Sequence, residues 1–153
     1  MQESGQIKLM KCLIIAAGRG SRISSRGDSK PLIPLLGLSL IERVILTAKK
    51  SGLSDFYVVT GYNGEKVRQY LDRFSQSRNI NITHITNEEW ENGNGISVLK
   101  TKKLLNGHFI LLMGDHIFDE SILVVVLDSL QTGKIARVSE RIKDDNPIVR
   151  VFI

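Results

Sequence analysis

Residues 11–30, KCLIIAAGRGSRISSRGDSK, decide how the chain reads. They begin with Cys12-Leu13-Ile14-Ile15, a short apolar run of the kind that forms a buried strand. The chain then narrows to Ala16-Ala17 and turns through Gly18-Arg19-Gly20-Ser21-Arg22, with further cations at Arg26 and Lys30. Successive backbone N–H groups in a small-residue loop can surround a phosphate, and Arg and Lys neutralise it. The stretch therefore predicts a strand feeding an anion-binding loop. It is neither of two common phosphate loops. Gly-x-Gly-x-x-Gly needs a glycine where Ile23 stands, and the P-loop spacing Gly-x-x-x-x-Gly-Lys-Ser/Thr does not occur.

Outward from the loop, helical and extended segments alternate. Pro31 and Pro34 keep the next segment extended. Ser39 with Glu42 forms a capping box for a helix over 40–50, in which Ile41, Val44, Ile45 and Ala48 share one face. Strands are predicted over 56–60, 79–86 and 108–113, with a fifth over 134–139. Helices are predicted over 65–74, 96–105 and 120–130. Such alternation implies a Rossmann-like three-layer α/β/α sandwich, a mostly parallel sheet with helices on both faces. In that architecture ligands bind outside the carboxyl ends of the strands. Three polar loops lie there, over 18–30, 87–95 and 114–119.

A chain of 153 residues is one domain and can bury a core without disulfides. Its single cysteine, Cys12, lies in the first apolar run and reads as a core residue, which fits a reducing, cytoplasmic setting. No apolar run approaches the ~20 residues of a spanning helix. Residues 1–9 are polar and read as a flexible leader to a nucleotide-binding portion at 10–153. The net charge of +5 suits an anionic partner and, equally, a solvated basic surface. Aromatics are few and form no ring-and-cation platform, which argues against nucleic acid and for a phosphorylated small molecule. Composition carries no information on oligomeric state.

The combination A-A-G-x-G-S-R, then a basic stretch, then S-K-P-L resembles the nucleotidyltransferases that make sugar, polyol and choline nucleotides. The resemblance implies that Ala16, Ala17, Gly18, Gly20 and Ser21 let the backbone approach a triphosphate, and that Arg22 and Lys30 bind its phosphates. The loop N-E-E-W-E-N-G-N-G-I-S resembles the family's base-reading segment, with Asn87 and the backbone around Gly95 facing a pyrimidine. The stretch L-L-M-G-D-H resembles the family's strand-end metal aspartate, which makes Asp115 a Mg2+ ligand. His116 is similar to the inositol-1-phosphate cytidylyltransferases, as is the phrasing G-L-S-L-I-E-R-V-I and D-H-I-F-D. That subgroup makes CDP-inositol and is often fused to a membrane synthase. The matches cover most of 10–122, and Asn146-Pro147 resembles a later family segment. The family domain continues beyond the point matched by Ile153, where much of the acceptor site and a second metal carboxylate normally lie, so the domain reads as C-terminally short.

The resemblance implies Mg2+-dependent cytidylyl transfer from CTP to a phosphorylated polyol, inositol 1-phosphate, with release of pyrophosphate. The alternatives are a phosphocholine cytidylyltransferase, a sugar-1-phosphate nucleotidyltransferase, or a truncated nucleotide-binding module without turnover. A dinucleotide oxidoreductase would need the missing glycine and an acid where Thr60 stands. Several polar residues have plainer readings. Arg19 and Arg26 read as surface, His84 and His108 as ordinary strand residues, Trp90 as loop packing and Asp119 as a helix cap. Asp115 as a helix cap, and His116 as either a structural imidazole or an acceptor contact, stay open.

Overall fold

The computed structural model describes residues 10–20, 29–105, 108–131 and 150–152. In chain order, β1 (Lys11–Ala16) is followed by a hairpin, β2 (Pro34–Leu35) and β3 (Leu38–Ser39), and by α1 (Leu40–Lys50). Then come β4 (Asp55–Thr60), α2 (Gly64–Arg78), β5 (Asn81–Thr86), α3 (Asn94–Leu99), β6 (Phe109–Met113), α4 (Glu120–Gln131) and β7 (Arg150–Phe152). The expected leader at 1–9 and the expected strand at 134–139 lie outside the described residues.

β1 is the centre of a five-stranded sheet of order β5-β4-β1-β6-β7. It runs parallel to β4 and β6, β4 runs parallel to β5, and β7 returns antiparallel to β6. The apolar run of β1 is continuous because both of its faces are covered. Cys12, Ile14 and Ala16 join Val44 and Ile45 of α1, Val67 and Leu71 of α2 and Leu123 of α4 in one core cluster. Leu13, Ile15 and Ala17 join Val59, Leu105 and Leu111 in a second, against which Val98 of α3 packs. Cys12 is fully buried, and that burial drives its thiol pKa far upward. Among the described residues no helix is long and apolar enough to cross a membrane.

The start of α1 comes from local chemistry. The Ser39 side chain accepts from the Glu42 N–H, and the Glu42 carboxylate accepts from the Ser39 N–H at 2.7 Å. Tyr70 of α2 donates to that same carboxylate oxygen at 2.8 Å, so the cap also ties two helices together.

Two local features differ from what the sequence predicts. The extended segment after Pro31 folds into the β2–β3 hairpin, turning at Leu36 and Gly37, both with positive φ (50° and 83°). Arg43 of α1 holds the turn by donating to the carbonyls of Leu35 and Leu36. The expected helix over 96–105 ends as α-helix at Leu99. There the Thr101 hydroxyl and backbone N–H both donate to the Val98 carbonyl, at 2.7 and 3.0 Å, and the chain continues in tight turns that bury Leu105.

Candidate active site

After β1 the chain moves outward to β4 and β5 on one side, then crosses to β6 on the other. The sheet therefore has a topological switch point at the carboxyl ends of β1 and β6. A pocket of ≈ 160 Å³ opens there, lined by Gly18, Gly20, Lys30, Asn94, Met113 and Asp115 among others. The two strand ends approach closely because the residues are small. A Cβ at Gly114 would lie 3.1 Å from that of Ala16, and the Gly114 N–H donates to Ile15 O at 2.9 Å.

Lys30 and Asp115 meet at this pocket. The Lys30 Nζ stands 2.7 Å from Asp115 Oδ2, with the side chains 30% and 18% exposed. Lys30 opens a 3₁₀ turn, Lys30–Leu32, in which Pro31 fits the first positions and Ile33 N–H donates back to Lys30 O at 3.2 Å. Its aliphatic stem lies against Gly20, where φ is +66°. Asp115 follows β6 after a single glycine, Gly114. Its other oxygen, Oδ1, lies 3.7 Å from His116 Nε2, and His116 Nδ1 is buried with no hydrogen-bond partner among the described residues.

Of the predicted site residues, Ala16, Gly18, Gly20, Lys30 and Asp115 line this one pocket. Ser21 and Arg22 lie outside the described residues, as does Arg26. Ala17 is buried, and its carbonyl accepts from Tyr62 N–H at 2.9 Å. Asn87 is fully buried, with its side-chain amide engaged by its own loop. Nδ2 donates to Ser97 Oγ and Oδ1 accepts from Glu89 N–H, both at 2.9 Å. Gly95 is exposed at the start of α3, and a Cβ there would meet nothing within 4 Å among the described residues. Its neighbour Asn94 lines the pocket. The sequence motifs do not single out Asn94, although it stands in the same Asn-Gly-Asn-Gly run.

The loops after β1, β4 and β5 are locked to one another. A Cβ at Gly61 would lie 2.5 Å from Trp90 Cβ and 2.9 Å from the carbonyls of Ala17 and Asn87. Tyr62 meets Trp90 edge-on at 5.3 Å, which makes Trp90 loop packing as expected. Arg19 is exposed, but its guanidinium sits over the Tyr62 ring at 5.5 Å. Asp119 caps α4. Hydrogen bonds from the Ser121 hydroxyl and backbone N–H hold its carboxyl below the usual range.

Among the described residues no group of three His, Cys, Asp or Glu side chains converges on a metal-sized point. Among the described residues that line the pocket, the one carboxylate is that of Asp115. Mg2+ is commonly held by one or two carboxylates together with water and substrate phosphate oxygens, so Asp115 fits an ion that arrives with a phosphate ligand.

The sequence profile of the MobA-like NTP transferase domain matches residues 12–151. The chain belongs to that family. This MobA-like NTP transferase domain is 35% identical over 105 residues to a bifunctional IPC transferase and DIPP synthase of Rubrobacter xylanophilus, covering 68% of this chain and 23% of that protein. It is 34% identical over 115 residues to the bifunctional protein GlmU of Methanococcus maripaludis, covering 74% of this chain and 26% of that protein. In fold it is similar to the inositol-1-phosphate CTP transferase from T. maritima, with a TM-score of 0.66 at 22% identity, over 74% of this chain and 46% of that one. The chain thus spans about a quarter of the length of these curated relatives.

Proposed function

We propose that this domain catalyses Mg2+-dependent transfer of a cytidylyl group from CTP to inositol 1-phosphate, releasing pyrophosphate and giving CDP-inositol. The observation that carries the reading is the meeting of Lys30 and Asp115, an ammonium and a carboxylate, beside a glycine loop at the switch point of the sheet. The names of the relatives support the choice of nucleotide and acceptor, and so does His116 directly after Asp115.

In this reaction an oxygen of the acceptor phosphate attacks the α-phosphorus in line. A new P–O bond forms, and the bond from the α-phosphorus to the bridging oxygen breaks. Pyrophosphate leaves with the electron pair. The attacking oxygen is already anionic at neutral pH, so no side chain need remove a proton. The barrier lies in bringing negative groups together, and the protein's contribution is position and charge. Lys30, seated on Gly20, would neutralise charge at the α-phosphate and the attacking oxygen. Arg22 would hold the departing β- and γ-phosphates. Asp115 would hold Mg2+, which supplies charge neutralisation at the phosphate oxygens. Asn87 would keep the base-side loop in shape through its bonds to Ser97 and Glu89.

A pyrophosphate-release screen tests this, crossing the four nucleoside triphosphates with inositol 1-phosphate, phosphocholine and hexose 1-phosphates. Release is expected with CTP and inositol 1-phosphate together. Release with another pair reassigns the substrates. The second reading, a nucleotide-binding module without turnover, is favoured by the pocket's having one carboxylate, Asp115, among the described residues. It predicts CTP binding with no release from any pair.

A further inference from the structure

We propose that Lys30 and Asp115 hold the site against either ligand alone and exchange partners when metal and triphosphate arrive as one complex. This rests on the reading of the pocket given under the proposed function. The two groups are assigned opposite tasks, one toward phosphate and one toward metal, yet here they neutralise each other at 2.7 Å. Both are anchored at their backbones, Lys30 in its 3₁₀ turn against Gly20 and Asp115 beside the Gly114–Ile15 hydrogen bond. Only the side chains have to move for the pair to open.

The energetics of a half-buried ion pair set the cost of each binding route. Removing one partner leaves the other as an uncompensated charge in a partly desolvated place. A divalent cation alone must displace the Lys30 ammonium from the carboxylate, then sit beside it. A metal-free triphosphate must draw Lys30 away and leave the Asp115 carboxylate facing phosphate oxygens. A metal–triphosphate complex meets neither cost. Lys30 turns to phosphate, Asp115 turns to metal, and every charge keeps a partner. Binding of the two ligands is therefore positively coupled, and by linkage the coupling is reciprocal.

The test needs no turnover, so a failed transfer assay leaves it intact. Mn2+ binding is measured by electron paramagnetic resonance without nucleotide, and tripolyphosphate binding by calorimetry in EDTA. Lys30→Gln is expected to tighten Mn2+ about five-fold, the scale of a partly exposed ion pair. Asp115→Asn is expected to abolish that Mn2+ site and to tighten metal-free tripolyphosphate by about the same factor. In the unmodified protein each ligand should strengthen the other, and either substitution should reduce that coupling. Arg19→Gln is the control for simple loss of charge. It removes a cation from the same loop without touching Asp115, and its effect on Mn2+ should be less than that of Lys30→Gln. Lys30→Met and Asp115→Ser repeat the measurement if a first variant melts early. Mn2+ affinity unchanged or weakened in both Lys30 variants overturns the exchange. Mn2+ affinity unchanged in the Asp115 variants overturns it together with the metal role of Asp115.

Discussion

A methyl group on Gly20 would stand 2.8 Å from Cβ of Lys30 and 3.0 Å from its Cδ. Glycine is needed there twice, for the φ of +66° and for the lysine stem. Gly20→Ala is expected to cost about 1–2 kcal/mol of stability from the left-handed backbone. It should also lower pyrophosphate release more steeply, by about 10²-fold, because the ammonium is displaced from its position. Gly18→Ala is the comparison. A Cβ there meets nothing within 4 Å among the described residues, so its urea midpoint should stay near that of the parent.

Arg22 lies outside the described residues, and its assignment rests on its place in the A-A-G-x-G-S-R run. If it holds the β- and γ-phosphates, Arg22→Ala should weaken CTP about ten-fold or more, the scale of losing hydrogen bonds to a charged group. The fold should be untouched. Titration calorimetry decides it, and unchanged CTP affinity removes Arg22 from the site.

Asn87→Ala should register first in stability. The substitution leaves Glu89 N–H and Ser97 Oγ without the partners they now have inside a closed loop. The expected loss is about 1–3 kcal/mol, read from the urea midpoint. A loss of CTP affinity with no change in stability would point instead to direct contact with the base.

Tyr70 gives the fold an alkaline limit. Burial raises the pKa of its hydroxyl, which donates to Glu42. A raised folded value means the folded state holds the proton more tightly than the unfolded chain. The contribution is complete below the unfolded value of about 10 and is lost as pH rises through the folded one. The fall in urea midpoint above about pH 10 should be steeper in the parent than in Tyr70→Phe, and below that pH the two should run parallel.

How far the sequence is legible depends on how local each cause is. The helix Leu40–Lys50 reads off residue by residue, because its cap, apolar face and stop are all in or beside it. The succession of strands along the chain, and the convergence of loops at their carboxyl ends, come from alternation alone. The β2–β3 hairpin does not, since its turn, with Leu36 at a φ of 50°, is held by Arg43 of the next helix, which donates to the turn carbonyls. At the early end of α3 the Thr101 hydroxyl and backbone N–H both take the Val98 carbonyl, a competition that apolar periodicity does not register. The site divides in the same way. Gly20, Lys30 and Asp115 are legible one at a time. That Lys30 faces Asp115, and that Gly20 makes room for it, depends on a contact between distant parts of the chain. Arg19 reads as plain surface because its partner, Tyr62, is supplied by the loop after β4.

Cys12 turns the centre of the sheet into its own clock. Its thiol is fully buried in β1, and its raised pKa keeps it protonated at neutral pH, so a thiol reagent meets almost no thiolate in the closed protein. Labelling then waits for β1 to separate from its neighbours. β1 is also the strand that carries the glycine loop, so a ligand that binds only the closed pocket must lengthen that wait by a factor that grows with its concentration relative to its Kd. The chain's one cysteine therefore times the opening of the strand that carries the site, without an engineered probe.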